Sequence, residues 1–542
     1  MSDEIGFSED QLVGLTPEQR EAVTSPARRL LVRATAGSGK THVLTLRIQR
    51  RIALAEVDAD QVLAMTFTRK AGDVLRRRLF RSGIRDVRAG TFHRAAMNIV
   101  NDYRLDHHLK PLTIEANRRR VVTVLAQQLR DDGVVKLDEW QLPRLEQEIG
   151  WALSQGFHGA TYARAAKKAR RDAPLAPALF AEVLDRYVGL CRSRGVLDFD
   201  LLLSEAISLL RDDVNVRAAF RHRTRALFVD ETQDMNPLQF MLLAQMAGDD
   251  PDLFCVGDPN QSIYGFNGAN PQLLGDIMRT WPDTVVLDLT RNHRSTANII
   301  AVANTLLEPG ARGIVPAHDE GDVPLVRGYA TDLEEAQHVA TWLSVHHQPG
   351  SPWSAMAVLA RTNAQLDVVQ GALEAAGIPA ERRGGEHSPA SDLVAPESFS
   401  RRVEHESTDA VALSTIHRSK GLEFQHVVTV GWAEGQLPHY NATTPEELAE
   451  EQRLAYVALS RAESSLLITW SKGRNDPRFA DRVPSRFLGP IDEVLREIAQ
   501  RNEPVTGERR RQRLDAIRRE LQTAAPESEE SPNVLGRSRT TT

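Results

Sequence analysis

The chain has 542 residues, a formal net charge of -6 and no apolar run long enough to cross a membrane. Its 41% hydrophobic and 26% charged residues are typical of a globular protein of several domains. The acidic balance disfavours indiscriminate nucleic-acid binding but leaves room for a local basic groove. The two cysteines, Cys191 and Cys255, cannot form a metal cluster, so we expect buried thiols in a cytoplasmic protein.

A glycine-rich segment lies between a predicted strand and a predicted helix near the N-terminus. The apolar run 30–32 leads into 34–41 (ATAGSGKT), and apolar residues recur at helical spacing through 44–52. Such a loop aims backbone N–H groups and a helix N-terminus at an anion. Lys40 would reach the terminal phosphates of a nucleotide, and the Thr41 hydroxyl would bind Mg²⁺. The alternative, a chance GSGKT in a flexible loop, is disfavoured by the strand before it and the helix after it.

Alternating strand and helix patterns predict an α/β chain with parallel sheets. Predicted strands lie at 30–32, 62–66, 226–229, 253–256, 285–287, 325–328, 356–359, 411–415, 427–430 and 466–469. Helical periodicity without a clear strand marks 96–195, which predicts a helical insertion. The predicted parts are one α/β domain from 1–95 and 196–282, the insertion 96–195, a second α/β domain from 283–384 and 409–497, a polar loop or very small insertion at 385–408, and a charged, disordered tail at 498–542.

Two carboxylates follow the apolar strand predicted at 226–229. Ligands of parallel sheets bind at the carboxyl ends of the strands, so Asp230 would face the Mg²⁺ held by Thr41. Glu231 would orient or deprotonate the attacking water. The alternative is a solvated acidic turn, which would be favoured if the glycine-rich loop were absent.

The segment 254–266 combines a buried strand, a polar turn and two aromatic residues. Gln261 could contact a γ-phosphate, whereas Tyr264 and Phe266 could stack on bases as in single-strand binders. Taken alone, this pattern fits better as a turn followed by two core aromatics.

Together with other short motifs, the segments described above form an ordered series along the chain. They are 15–19 (LTPEQ), 34–41, 65–71 (MTFTRKA), 90–93 (GTFH), 197–202 (LDFDLL), 229–234 (VDETQD), 257–269, 292–295 (NHRS), 415–424 (TIHRSKGLEF) and 451–462 (EQRLAYVALSRA). In content and order these motifs resemble the UvrD/Rep/PcrA group of superfamily 1 DNA helicases. The resemblance covers about residues 15 to 490 and makes a chance arrangement negligible.

This resemblance implies two tandem RecA-like motor domains, 1A and 2A, with a helical 1B insertion in the first. It also implies ATP and Mg²⁺ as cofactors, single-stranded DNA and single-strand/duplex junctions as partners, and movement from 3′ to 5′. In the family a large 2B domain stands where this chain has only 385–408. We therefore expect a translocase that is either uninhibited or dependent on a protein partner for unwinding.

The resemblance also implies residue roles at matching positions. Gln19 would read the adenine edge, Glu423 would bind the ribose hydroxyl, and Arg294 and Arg461 would be arginine fingers. The predicted catalytic residues are Lys40, Asp230, Glu231, Gln261, Arg294 and Arg461. The predicted nucleotide contacts are Gln19, Ala36, Gly37, Ser38, Gly39, Lys40, Thr41, His42, His293 and Glu423, with Thr41 and Asp230 as metal ligands. The predicted DNA contacts are Phe67, Thr91, His93, Tyr264, Phe266, Arg361, Thr415 and His417.

Three departures from the family pattern change the expectations. His293 replaces a tyrosine that stacks on adenine, and His42 replaces an arginine, so base selectivity should be looser. Phe266 and Asn267 replace a Trp-Arg pair, so single-strand affinity should be weaker. The third departure is the short segment 385–408.

Three functions remain open from the sequence. The first is a DNA-dependent ATPase and 3′–5′ helicase in DNA repair or replication. The second is an ATP-driven translocase or sensor subunit that clears proteins or licenses a partner nuclease, as in antiphage systems. The third is a P-loop ATPase acting on RNA, which the motifs at 65–71 and 257–269 disfavour.

Overall fold

The computed structural model describes residues 7–169, 171–265, 268–269, 272–308, 310–383, 409–473 and 481–502. Phe266, the segment 385–408 and most of the predicted tail lie outside the described residues. The chain forms one compact unit over Met1–Val494 and a second over Leu495–Thr542. Both sheets and every residue discussed below belong to the first unit. Among the described residues, no helix combines the length and the apolar character needed to cross a membrane.

The strands of the described residues are short and mostly buried. They are β1 Arg29–Ala34, β2 Val62–Thr66, β3 Arg88–Thr91, β4 Thr113–Ile114, β5 Val196–Leu197, β6 Ala226–Val229, β7 Leu253–Gly257, β8 Val285–Leu289, β9 Arg291–Asn292, β10 Val315–Pro316, β11 Leu325–Thr331, β12 Met356–Ala360, β13 Ala380–Arg382, β14 Val411–Thr415, β15 Phe424–Thr429 and β16 Ala462–Gly473.

The α-helices connect these strands and supply the outer layers. They are α1 Pro17–Thr24, α2 Lys40–Ala53, α3 Arg69–Arg81, α4 Phe92–Asp106, α5 Arg118–Asp131, α6 Leu142–Ser154, α7 Gly159–Lys168, α8 Pro177–Ser193, α9 Phe199–Asp212, α10 Val214–Arg223, α11 Pro237–Ala247, α12 Leu273–Thr280, α13 Ala297–Asn304, α14 Asp332–His346, α15 Asn363–Ala375, α16 Ile416–Ser419, α17 Pro445–Leu459 and α18 Leu488–Asn502.

The first sheet has six parallel strands in the order β3-β2-β6-β7-β1-β8. The inner strands β2, β6 and β7 are buried along their whole length, which is why they read as continuous apolar runs. Along β1 the side chains alternate, so Leu30 and Val32 join the core under α2 while Leu31 joins the core under α4, α9 and α11. This central position of β1 fixes the loop that follows it at the carboxyl edge of the sheet.

The second sheet repeats this plan with six parallel strands in the order β11-β16-β15-β12-β14-β13. Val339 of α14 and Val369 of α15 pack on one face against Val358 and Leu413 of the central strands. The predicted α/β class with two parallel sheets is therefore confirmed.

In chain order, α5 to α8 are inserted between β3 and β6 of the first sheet. These helices enclose an apolar core of their own. The core is built around Tyr162, Phe180 and Tyr187, all fully buried. The prediction that 96–195 lacks strands is wrong in one detail, because β4 pairs with β5 in a short parallel ladder. Each partner is only two residues long, too short for alternation to show in the sequence. The exact domain boundaries stay predictions.

Candidate nucleotide and DNA site

The loop after β1 requires glycine at two positions. Gly37 and Gly39 have positive φ angles of 67° and 79°, a region that residues with a Cβ seldom adopt. A Cβ on Gly37 would lie 2.5 Å from Nδ2 of Asn292, which comes from β9. Gly39 is the N-cap of α2, so Lys40 is the first residue of that helix. The loop therefore leaves a cradle of N–H groups at a helix N-terminus, which suits a phosphate.

Two oxygen ligands meet beside this cradle. The Thr41 hydroxyl donates to Oδ2 of Asp230 at 3.2 Å, and Asp230 directly follows β6. Burial, together with the neighbouring Glu231, raises the pKa of Asp230 to about 6. Converging hydroxyl and carboxylate oxygens in a site that penalises unpaired negative charge fit Mg²⁺, which prefers hard oxygen ligands and phosphate partners.

Glu231 occupies an unusual backbone position next to Thr41 and Asp230, the predicted metal ligands. Its φ of 52° places it in the left-handed region, which costs about 1–3 kcal/mol for a residue with a Cβ. Burial alone would raise its pKa, but Lys40 and Lys420 outweigh this effect and hold the pKa below the ordinary value. Glu231 is thus a carboxylate whose ionised form is favoured and whose backbone is strained, which is compatible with the predicted role of orienting water.

Arg461 reaches the same place from the second sheet. Its Nη2 donates to Oε1 of Gln261 at 3.2 Å, and Gln261 Nε2 donates to Asp258 at 2.7 Å. Backbone oxygens of Val457 and Leu422 accept from its remaining nitrogens, both at 3.1 Å. Burial, together with the nearby Arg294, lowers the pKa of Arg461 to about 9. The predicted γ-phosphate sensor and one predicted arginine finger are therefore in direct contact.

The other predicted finger has a different partner. Arg294 pairs with the Glu423 carboxylate through Nε at 2.9 Å and Nη2 at 2.7 Å, and its Nη1 donates to the Ser460 carbonyl at 3.0 Å. The Glu423 side chain is 58% exposed. The pair would have to open before Arg294 could turn to a phosphate while Glu423 holds a ribose.

A cleft of about 1010 Å³ gathers most of the predicted nucleotide contacts. Its lining includes Gly37, Ser38, Gly39, Lys40, Thr41, His42, Glu231, Gln261, His293, Arg294, Glu423 and Arg461. Ala36 lies behind this surface, where its carbonyl accepts from Asn292 Nδ2 at 2.8 Å. His318, which the sequence does not single out, also lines the cleft and bonds through Nε2 to the His293 carbonyl at 2.9 Å.

Gln19, the predicted adenine reader, is not among the cleft-lining residues. Its Oε1 accepts from the Thr16 N–H at 3.0 Å, and its Nε2 donates to the Ser38 carbonyl at 3.0 Å. Both ends of this buried amide are thus engaged with the backbone. Gln19 braces the phosphate loop in this structure, and its role toward a base stays a prediction.

The predicted DNA contacts fall into two groups. Phe67 stacks on Tyr264 with ring centroids 5.1 Å apart, and the Tyr264 hydroxyl donates to the His417 carbonyl at 3.2 Å. These three residues form one aromatic platform at the carboxyl edges of both sheets. Burial, with help from Arg361 and Lys420, lowers the pKa of His417 to about 3, so this ring is neutral.

Three of the remaining predicted DNA contacts, Thr91, His93 and Arg361, have partners within the protein. Thr91 caps α4 by accepting from the Arg94 N–H at 3.3 Å. His93 meets Phe199 edge-on at 5.7 Å, and burial lowers its pKa to about 4. The Arg361 guanidinium pairs with the Glu451 carboxylate at 2.8 Å. Thr415 occupies the N-cap position of α16 without a capping bond from its side chain, and Phe266 lies outside the described residues.

Sequence reasoning missed Lys420 and Asp234. The Lys420 ammonium is 2.6 Å and 2.7 Å from the two Asp234 oxygens and 2.6 Å from the Gln261 carbonyl. It also lies 5.3 Å from the centre of the Tyr264 ring. Burial is the main cause that raises the pKa of Asp234, to about 7. Asp234 lies in the motif at 229–234 and Lys420 in the motif at 415–424. A charged residue in each motif, close to an apolar strand, was the sequence signal that could have indicated this ion pair.

A phosphate cradle on one parallel sheet, faced by an arginine that directly precedes β16 of a second sheet of the same plan, defines a P-loop ATPase with two RecA-like domains. The family comparison narrows this class. The UvrD/REP helicase N-terminal domain matches residues 15–281, and the UvrD-like helicase C-terminal domain matches 287–387 and 392–473. The chain belongs to the UvrD/REP helicase family, whose enzymes are ATP-dependent DNA helicases.

Individual relatives agree with this placement. The chain is 32% identical to the ATP-dependent DNA helicase UvrD2 of Mycobacterium tuberculosis, over 96% of this chain and 87% of that protein. It is 33% identical to UvrD1 of the same organism over 75% of this chain and 54% of that protein. It is 29% identical to DNA helicase II of Escherichia coli over 84% of this chain and 63% of that protein.

Proposed function

We propose that this chain is an ATP-driven translocase that moves 3′ to 5′ on single-stranded DNA and acts as a helicase in DNA repair or replication. The observation that carries this proposal is the course of residues 258–264. Gln261 touches Arg461 at the nucleotide cleft, and Tyr264, three residues later, stacks on Phe67 in the aromatic platform. One short segment thus joins a nucleotide sensor to a surface on which bases could stack.

The residues of the cleft support hydrolysis of ATP in defined roles. Lys40 and the loop N–H groups would bind the phosphates, and Glu231 would orient the attacking water. Thr41 and Asp230 would hold Mg²⁺, which neutralises phosphate charge. Arg461 would stabilise charge that develops on the transferred phosphoryl group, and its contact with Gln261 would report the presence of the γ-phosphate. Loss of the γ-phosphate would then weaken the contact between the two domains.

A translocation assay tests the proposal directly. The ATPase rate should rise steeply on adding single-stranded DNA, and the protein should displace streptavidin from a 5′-biotinylated oligonucleotide faster than from a 3′-biotinylated one. The reason is that 3′-to-5′ movement carries the enzyme into the 5′ end. Lys40→Ala, which removes the phosphate contact, is the control for motor-driven displacement. Faster displacement from the 3′ end would contradict the proposed polarity.

The second candidate is a translocase that depends on a partner for unwinding. It is favoured by the short segment 385–408, which stands where the resemblance to the UvrD/Rep/PcrA group implies a large 2B domain. The same preparation distinguishes the two candidates in a single-turnover unwinding assay on a 3′-tailed duplex. Robust processive unwinding by the monomer would refute partner dependence, whereas translocation without unwinding would support it.

Base selectivity gives a separate prediction. The Gln19 amide is engaged with Thr16 and Ser38, and the base side of the cleft presents the rings of His42, His293 and His318. Rings stack on any base and discriminate little between purines. Without a hydrogen bond that reads the purine edge, the difference in binding free energy between the two bases should stay below about 1.4 kcal/mol, so we expect kcat/KM for GTP within about tenfold of that for ATP. Steady-state hydrolysis of both nucleotides is the measurement, and a strong preference for ATP would contradict it.

A further inference from the structure

One face of α17 runs alongside the segment that links the nucleotide cleft to the aromatic platform. Glu450, Arg453 and Tyr456 are spaced three residues apart, so they project from the same side of the helix. We call these three side chains the α17 face. Each of them contacts a different point of the segment 258–265, which belongs to the first sheet's domain.

The three contacts follow the segment in order. At the nucleotide end, the Tyr456 hydroxyl lies 3.5 Å from Oδ2 of Asp258 and accepts from the Ala36 N–H at 3.4 Å. In the middle, Arg453 Nε donates to the Ser262 carbonyl at 2.8 Å. At the other end, the Gly265 N–H donates to Oε1 of Glu450 at 3.0 Å.

The Glu450 contact is closely fitted. A Cβ on Gly265 would meet the end of the Glu450 side chain, so the carboxylate lies directly against the backbone at this position. Burial raises the pKa of Glu450, while the Gly265 N–H and Arg453 favour its charged form. The bonded amide is directly adjacent to Tyr264, whose ring stacks on Phe67. Glu450 therefore fixes the backbone at the base of the platform, away from the nucleotide.

The two ends of the α17 face differ in what they can sense. Tyr456 contacts the phosphate loop itself through Ala36, so its position depends on how that loop closes. Glu450 accepts from the backbone next to Tyr264 and is not among the described residues that line the nucleotide cleft. Tyr456 and Glu450 lie on one continuous helix, α17 over Pro445–Leu459, so a shift of this helix would move both contacts together.

We propose that Glu450 is a positioning residue that couples closure of the nucleotide cleft to the placement of the Tyr264–Phe67 platform. This inference rests on the proposed function and adds the element that transmits its motion. Arg453 holds the middle of the segment and Tyr456 its nucleotide end. Cleft closure then shifts the platform through hydrogen bonds to the backbone, with no direct contact between Glu450 and either ligand.

The test compares Glu450→Ala with Glu450→Gln, because glutamine keeps an acceptor for the Gly265 N–H. Glu446→Ala, at an exposed position of the same helix, is the matched control. In Glu450→Ala we expect an unchanged ATPase rate without DNA and an unchanged KM for ATP. The concentration of oligo(dT) that gives half-maximal stimulation should rise about tenfold, as expected for a lost hydrogen bond to a charged group. Glu450→Gln should recover most of this loss.

Three outcomes would overturn the inference. The first is normal stimulation of Glu450→Ala, and the second is an equal loss in Glu450→Gln. The third is a fall in the DNA-free rate together with the thermal unfolding midpoint, which would show a merely structural role. If the unmodified protein is not stimulated by oligo(dT) at all, the proposed function itself fails. If it is stimulated and Glu450→Ala behaves identically, only the coupling role fails.

Discussion

Replacing Glu231 by glutamine is expected to lower the DNA-stimulated ATPase rate by about 10²–10⁴-fold, the usual contribution of a group that handles a proton or orients water. The structure gives the reason, because Lys40 and Lys420 hold the pKa of this carboxylate low despite its burial. An ionised acceptor is therefore built into the cleft. Glutamine keeps the shape but carries no negative charge, so the attacking water loses its strongest acceptor.

Nucleotide binding should separate this effect from a loss of structure. Binding of a fluorescent ATP analogue to Glu231→Gln should stay close to that of the unmodified protein, because Glu231 neither caps the phosphate loop nor holds its backbone. Lys40→Ala should weaken binding as well as turnover. Glu139→Gln, an exposed position of the helical insertion, controls for the substitution itself. Hydrolysis by Glu231→Gln at a rate within about threefold of the unmodified protein would exclude the proposed role.

Local features of this fold can be predicted from the sequence. The strand at 62–66 is predicted with the bounds that β2 has, because a fully buried parallel strand is a continuous apolar run. The phosphate loop is equally local, since the positive φ angles of Gly37 and Gly39 can be read from two glycines before a lysine. Patterns confined to a few consecutive residues need no knowledge of the tertiary fold.

Features that depend on tertiary contacts cannot be predicted from the local sequence. β3 and β13 carry arginine, glycine and glutamate in place of an apolar run, and they form strands because an existing sheet edge pairs with them. Gln19 could be assigned to adenine by resemblance, but nothing in the sequence shows that Thr16 and Ser38 engage both ends of its amide. In both cases the deciding partner is distant or depends on backbone geometry.

The sequence also does not show which of the predicted cleft residues contact one another. Arg294, Arg461, Gln261 and Glu423 are nominated one at a time from their motifs. The structure sorts them into one bond, Arg461 to Gln261, and one ion pair, Arg294 to Glu423. The two predicted arginine fingers therefore differ in their contacts. Of the two, Arg461 contacts Gln261, the residue that would sense the γ-phosphate, whereas Arg294 is paired with Glu423.

Replacing Arg461 by alanine is therefore expected to lower kcat more than replacing Arg294 does. At saturating ATP and DNA, the expected fall in kcat for Arg461→Ala is about 10³–10⁵-fold. Its side chain is 1% exposed and donates across the domain boundary to Gln261. The charge acts in a site shielded from water, where electrostatic stabilisation is strongest. Arg461→Lys should remain defective, because one ammonium cannot reach Gln261, Leu422 and Val457 together as the planar fork does.

Arg294→Ala is the internal comparison for this prediction. Its loss frees Glu423, which is solvent-exposed, and leaves the Arg461–Gln261 contact in place. We expect a smaller fall in kcat and a clearer rise in KM for ATP, since Glu423 is the predicted ribose contact. Steady-state ATPase rates should be measured beside thermal unfolding midpoints, because removing a buried guanidinium also removes its bonds to Val457 and Leu422. A folded Arg461→Ala protein that keeps more than a tenth of the unmodified kcat would show that the contact with Gln261 positions the cleft without stabilising the reacting phosphate.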